Sequence, residues 1–152
     1  MTPTRLARPL ALVLLALASQ AHGQVKGPVT PAGCLSLTAS GRVEVRGRLS
    51  VREFPGPPNY ESVAAGDKPE RTYLLTLAKP ICVDDGAAGF ADPSVTFDTV
   101  HVSVKNDRLW PELRSGLNKT VVVTGEGFAA FDGHHHAPLV VLADQVRVVE
   151  RP

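Results

Sequence analysis

Three consecutive imidazoles, His134, His135 and His136, stand in the stretch D-G-H-H-H-A-P. Neutral imidazole is the commonest side-chain ligand for zinc, copper and nickel, so transition-metal binding is the first chemistry to weigh. On an extended backbone alternate residues face the same way, which would set His134 and His136 on one side and His135 on the other. A third ligand must then come from elsewhere: His101, Asp98 close before it, or Asp132 within the loop. The candidate metal ligands are therefore His134, His136 and His101, with His135 the local reserve. Two or three imidazoles with a water or a carboxylate suit copper(II) or zinc, whereas magnesium and calcium want more oxygen ligands. The competing reading is a polar turn without a ligand. It is favoured by the absence of the helical H-x-x-x-H and knuckle C-x-x-C spacings of common zinc sites.

A second unusual stretch runs from Phe54 to Glu70, F-P-G-P-P-N-Y-E-S-V-A-A-G-D-K-P-E. Its prolines and glycines exclude a regular strand or helix, and long ordered loops are disproportionately functional. Asn59, Tyr60 and Glu61 are its candidate ligand-contacting residues. Catalysis has little to build on. Ser103 lies two residues from His101, but there is no nucleophile elbow, no phosphate-cradling loop and no dinucleotide fingerprint. Glu126, between two glycines, is a lone carboxylate.

These residues need a scaffold, and the flanking segments supply strands. Thr120–Thr124 and Leu139–Val149 are rich in Val and Leu without a helical period. Gly125, Gly127 and Gly133 between them fall where a strand must bend or turn. Upstream, R-V-E-V-R-G-R-L-S-V-R-E-F from Arg42 alternates apolar with charged residues, with Gly47 interrupting the pattern. Arg71–Val83 reads as the next strand, with Pro80 restricted to an edge or bulge, and Val95–Val104 as the third. The one helix is expected over Asn106–Gly116, capped by Asp107, with Pro111 near its first turn, Trp110 as a core plug and Gly116 left-handed at its end. Strand, long loop, two strands, helix, two strands: this predicts an all-β fold with one short helix, a small five-stranded OB-like Greek-key barrel. In that topology the third and fifth strands lie parallel side by side, which brings His101 or Asp98 toward the histidine loop.

The chain begins with Arg5 and Arg8, an apolar run from Leu10 to Ala18 and small residues before Gln24. That is the layout of a secretory signal peptide over residues 1–23, too short an apolar run for a ~20-residue membrane span. Residues 24–41 then form an extended, Pro- and Gly-bearing lead-in, and 42–152 the barrel domain. Losing Arg5 and Arg8 shifts the formal charge from +1 to near −1. A near-neutral surface with 5% aromatic residues argues against nucleic acid, whose binders carry a basic groove and stacking platforms. The two cysteines, Cys34 and Cys82, predict a disulfide in an oxidising compartment.

The strings F-P-G-P-P-N-Y-E-S, L-W-P-E-L-R and V-T-G-E-G-F-A-A…G-H-H-H-A-P-L-V-V-L resemble an exported bacterial family, a domain of unknown function. The likeness covers most of the chain from about Cys34 onward. It implies a cell-envelope protein, and it implies no activity.

The functional expectation is a periplasmic, non-enzymatic binding or interaction module. Its contacts would come from the loops Phe54–Glu70 and Ala129–Ala137, which lie where OB folds present their ligand surface. Its partner would be an envelope protein or a small ligand, without nucleic acid and without stable membrane insertion. The alternative is a copper- or zinc-binding protein acting through the histidine loop.

Overall fold

The computed structural model describes residues 24–30, 33–38 and 41–149. The expected signal peptide, residues 1–23, lies outside the described residues. In chain order the strands are β1 (Val25–Lys26), β2 (Leu35–Ser36), β3 (Arg42–Pro55), β4 (Pro69–Ile81), β5 (Val83–Asp84), β6 (Phe97–Val104), β7 (Thr120–Ala129) and β8 (Leu139–Val148), with the short helix α1 (Trp110–Ser115) between β6 and β7. The fold is mostly β. Six strands form a mixed sheet in the order β1-β3-β4-β6-β8-β7, and a further β3–β7 pairing links five of them into a ring. Around that ring only the β6–β8 pair is parallel. No helix among the described residues is long and apolar enough to cross a membrane.

Ring closure depends on β3 serving two partners. Arg42–Arg48 pair with β7, and Arg48–Pro55 pair with β4. The handover falls beside Gly47, where a Cβ atom would stand 2.6 Å from the Thr76 carbonyl oxygen, so no other residue lets the strands approach this closely. Gly125 does the same for β7. The β7–β8 register shifts between Thr124 and Gly125, and a Cβ there would collide with the Leu142 carbonyl. The strand bends at this bulge instead of ending, which is why β7 continues to Ala129 and not only to Thr124.

Strand alternation then fills the ring. Val43, Val45, Leu49, Leu75, Val100, Val102, Val121, Val123, Leu139 and Val141 are all buried together, and Leu113 of α1 joins them. Each such side chain contributes about 1.5–3 kcal/mol on leaving water. The lead-in is fastened at several points, two of them marked. Val25 pairs with Val45 at the sheet edge, and Cys34 is disulfide-bonded to Cys82 beside the parallel β2–β5 pair. Pro80 lies where the β4–β6 register shifts between Thr76 and Ile81, the bulge a strand proline requires.

The helical segment differs in detail from expectation. A 3-10 turn over Asp107–Leu109 precedes α1, and the cap is Asn106, whose side chain accepts from the Arg108 amide at 3.1 Å. Asp107 instead accepts from the Trp110 indole N–H at 3.1 Å. Trp110 is half-buried against the core and packs on Tyr73, with ring centroids 5.7 Å apart. Gly116 is right-handed, at φ −82°, and the left-handed residue is Asn118, at φ 61°. Gly116 serves proximity instead: a Cβ would come within 2.8 Å of Val121 Cγ1.

Candidate functional site

The site is built where the β3–β4 hairpin meets the β7–β8 loop. The hairpin pairing extends to Phe54 opposite Glu70 and Pro55 opposite Pro69, leaving residues 56–68 as its loop. One buried carboxylate shapes that loop. Asp67, 4% exposed, accepts from the amides of Asn59 at 2.9 Å, Glu61 at 2.8 Å and Ser62 at 2.8 Å, and from the Asn59 side-chain amide at 3.2 Å. Those hydrogen bonds, the Ser62 amide foremost, hold its carboxyl below the ordinary aspartate value. Of the three residues expected to form a contact platform, Asn59 is turned to Asp67 by its side chain and Glu61 is bound there by its backbone. Tyr60 alone reaches across to the other loop.

Tyr60 is left-handed, at φ 62°, and its ring covers Gly133, where a Cβ would stand 2.8 Å from the tyrosine Cγ. Its hydroxyl lies 2.6 Å from His134 Nε2, while His134 Nδ1 lies 2.9 Å from Glu70 Oε2. Burial first, then the charges of Glu70 and Asp132, push the Tyr60 phenol above its ordinary value, so it keeps its proton. A neutral imidazole with an acceptor-only carboxylate at Nδ1 takes the tautomer in which Nδ1–H donates to Glu70 and Nε2 accepts from Tyr60. One donor–acceptor chain thus ties loop 56–68, the start of β4 and the histidine loop together.

The loop itself is a turn, not an extended segment. Asp132 accepts from the His134 amide through its side chain at 2.9 Å, and from the His135 amide through its carbonyl at 3.2 Å. Hence the expected geometry, with His134 and His136 sharing a face and His135 opposite, is replaced by three separate surroundings. His135 packs edge-on to Phe131 and Phe128, at 4.6 and 5.2 Å, and its Nδ1 accepts from the Phe131 amide. His136 is stacked on Phe54 at 4.0 Å, with His101 5.9 Å away on a near-parallel plane. Its Nε2 is buried without a hydrogen-bond partner, 4.0 Å from Glu70 Oε1.

His101 arrives as the strand order requires. It pairs with Val140 in the parallel β6–β8 ladder, and its Nδ1 accepts from the His136 amide at 3.4 Å. It is 8% exposed, and burial, then the neighbouring His136 and His135, lower its pKa to about 4. His101 is therefore neutral near pH 7, with Nδ1 accepting and the hydrogen on Nε2. His136 is lowered for the same first reason, burial. Asp98, the alternative third ligand, is exposed and bonds the Thr99 hydroxyl. Among the described residues no group of three or more His, Cys, Asp or Glu side chains is arranged to hold a metal ion.

Beside this junction lies a cleft of about 310 Å³. Its floor is one face of the sheet: His101 opposite Val140 and Ser103 opposite Leu142, with Thr72 two residues before Leu74, the partner of His101. Glu70, Arg71, His134, Phe128 and Trp110 border it. Thr72 is 2% exposed and its hydroxyl has no hydrogen-bond partner. Glu70, Asp67, Phe54 and Thr72 were not singled out by sequence reasoning. Their only signal was position, at or beside the ends of the strands that flank the long loop.

Residues 99–147 match the model of a family described as a domain of unknown function (DUF4431). The match holds His101, α1 and the whole histidine loop, covers less than half of the 152-residue chain, and brings no activity with it. No curated protein matches the chain.

Proposed function

We propose that the protein is an exported, non-enzymatic binding module, an OB-like Greek-key barrel that holds a small ligand in the cleft beside the junction of its two long loops. The ring order β3-β4-β6-β8-β7, with a helix before β7, supports the OB-like reading. The leader pattern and the Cys34–Cys82 bond support export to the periplasm. The observation that carries the function is the Tyr60–His134–Glu70 chain, which joins the loops at the edge of a cleft whose floor keeps an unpartnered hydroxyl. A surface fixed before the ligand arrives loses less entropy on binding. Catalysis draws no support from the same geometry. The imidazole nearest Ser103 along β6 is His101, whose pKa of about 4 makes it a poor base at neutral pH.

Trp110 is the single tryptophan and borders the cleft, so its fluorescence reports occupancy. The dialysable fraction of a cell-envelope extract should change that signal saturably. In Tyr60→Phe combined with His134→Ala the half-saturating concentration should rise roughly tenfold, the equivalent of one lost ordering contact. No saturable change in the wild type would remove the proposal.

A second reading, transition-metal binding, rests on His136 Nε2 standing buried and unpaired 4.0 Å from Glu70. An ion would have to draw these two groups and His134 together, a donor set with Glu70 in place of His101. Calorimetric titration with zinc and with copper(II) should then give saturable binding that His136→Ala and Glu70→Gln each abolish. Heat that does not saturate would leave these residues as a structural turn.

A further inference from the structure

We infer that the cleft takes a neutral saccharide ring, an inference that rests on the binding-module reading and names its ligand class. The floor offers three uncharged polar groups, the hydroxyls of Thr72 and Ser103 and the imidazole of His101. Each hydroxyl combines donor and acceptor capacity, while His101, whose Nδ1 is taken by the His136 amide, offers its Nε2–H as a donor. A carboxylate or phosphate would call for donors backed by net positive charge, and an ammonium for acceptors backed by negative charge. Here the charged side chains at the border, Glu70 and Arg71, are of opposite sign.

A sugar ring matches this set because every hydroxyl on it both donates and accepts. The ring also has faces lined by C–H groups, and the cleft has aromatic walls in Trp110 and Phe128 to receive one. At about 310 Å³ the space stands at the lower end of small-ligand sites, room for about one ring and not a long chain. Thr72 supplies the independent sign of a missing partner. Its hydroxyl lies just beneath the cleft floor with its hydrogen bond unmade, and a ligand hydroxyl would complete it once a neighbouring side chain shifts.

The test uses four probes on the full exported chain, read by Trp110 fluorescence. N-acetylglucosamine and glucose represent saccharides, while adenosine and benzoate represent planar bases and organic anions. At least one saccharide should bind saturably below roughly 10 mM, and Thr72→Val should weaken it at least about fivefold, one hydrogen bond's worth. Valine keeps the shape of threonine, and Ser103→Ala is a second variant with the same expected direction should the first fail to fold. Binding of adenosine or benzoate with no saccharide response overturns the inference. So does saccharide binding that both folded variants leave unchanged. Loss of the saccharide response alone, with the envelope-extract response intact, overturns this inference and spares the binding-module reading. Loss of both overturns the two together.

Discussion

Replacing Cys34 and Cys82 together by serine lowers the free energy of unfolding by up to about 4 kcal/mol at 25 °C, the loop-entropy value for this span. The bond joins residues 48 apart, so the oxidised unfolded chain is denied most arrangements of a long loop. The native state also depends on it. Leu35, 5% exposed, and Val83, 2% exposed, pair directly beside the bridge, and both belong to the main core. Without the bond the lead-in keeps the short β1–β3 and β2–β5 pairings, the Gln24–Lys79 hydrogen bonds and the packing of Leu35 on the core. Urea unfolding of the wild type and the double variant, under non-reducing conditions, measures the difference. A gap below about 1 kcal/mol would mean that the bond does not constrain the folded domain in this way.

Acidification gives the second large effect. The imidazole of His101 has a folded pKa of about 4 against an ordinary 6.5. Between those values the unfolded chain binds the proton that the folded chain refuses, so the stability present above pH 6.5 is lost as the pH falls toward 4. The full linkage is at most about 3 kcal/mol, less where solvent screens the site. His136, lowered by the same burial, adds in the same direction. Asp67 acts in a lower window: its carboxyl sits below the ordinary aspartate range, so its contribution is lost only under stronger acid. His101→Gln should flatten the stability curve between pH 6.5 and 4 relative to wild type, as read by denaturant unfolding at a series of pH values. An unchanged slope in that variant would contradict the assignment.

Strand-level features were legible because they depend on local pattern. Alternation placed Val43, Val45 and Leu49 inside, the glycines marked corners, and strand order alone brought His101 beside the histidine loop. What was illegible depends on single contacts between distant residues. Nothing in G-H-H-H-A-P announces that Asp132 bends the loop into a turn and sends the three imidazoles to different neighbours. The role of Asp67 follows from three backbone amides converging on one carboxylate, a geometry a loop acquires only when folded. Glu70 read as the last residue of a loop. It becomes central because the β3–β4 hairpin continues to it and sets it against His134. Gly116 illustrates a different gap: a glycine at a helix end suggests left-handed geometry, whereas close packing on Val121 is what demands it.

The proposed ligand site is one cleft, beside the junction where loop 56–68 and the histidine loop are fixed to each other. Amide chemical-shift mapping during titration with the saturating probe tests it most directly. The predicted result is a set of shifts confined to Glu70–Tyr73, His101–Ser103, Trp110, Phe128 and His134–His136, which Tyr60→Phe with His134→Ala diminishes. Shifts centred on the far side of the ring, around Arg46–Arg48 and Thr76–Ala78, with the cleft amides unmoved, would contradict it.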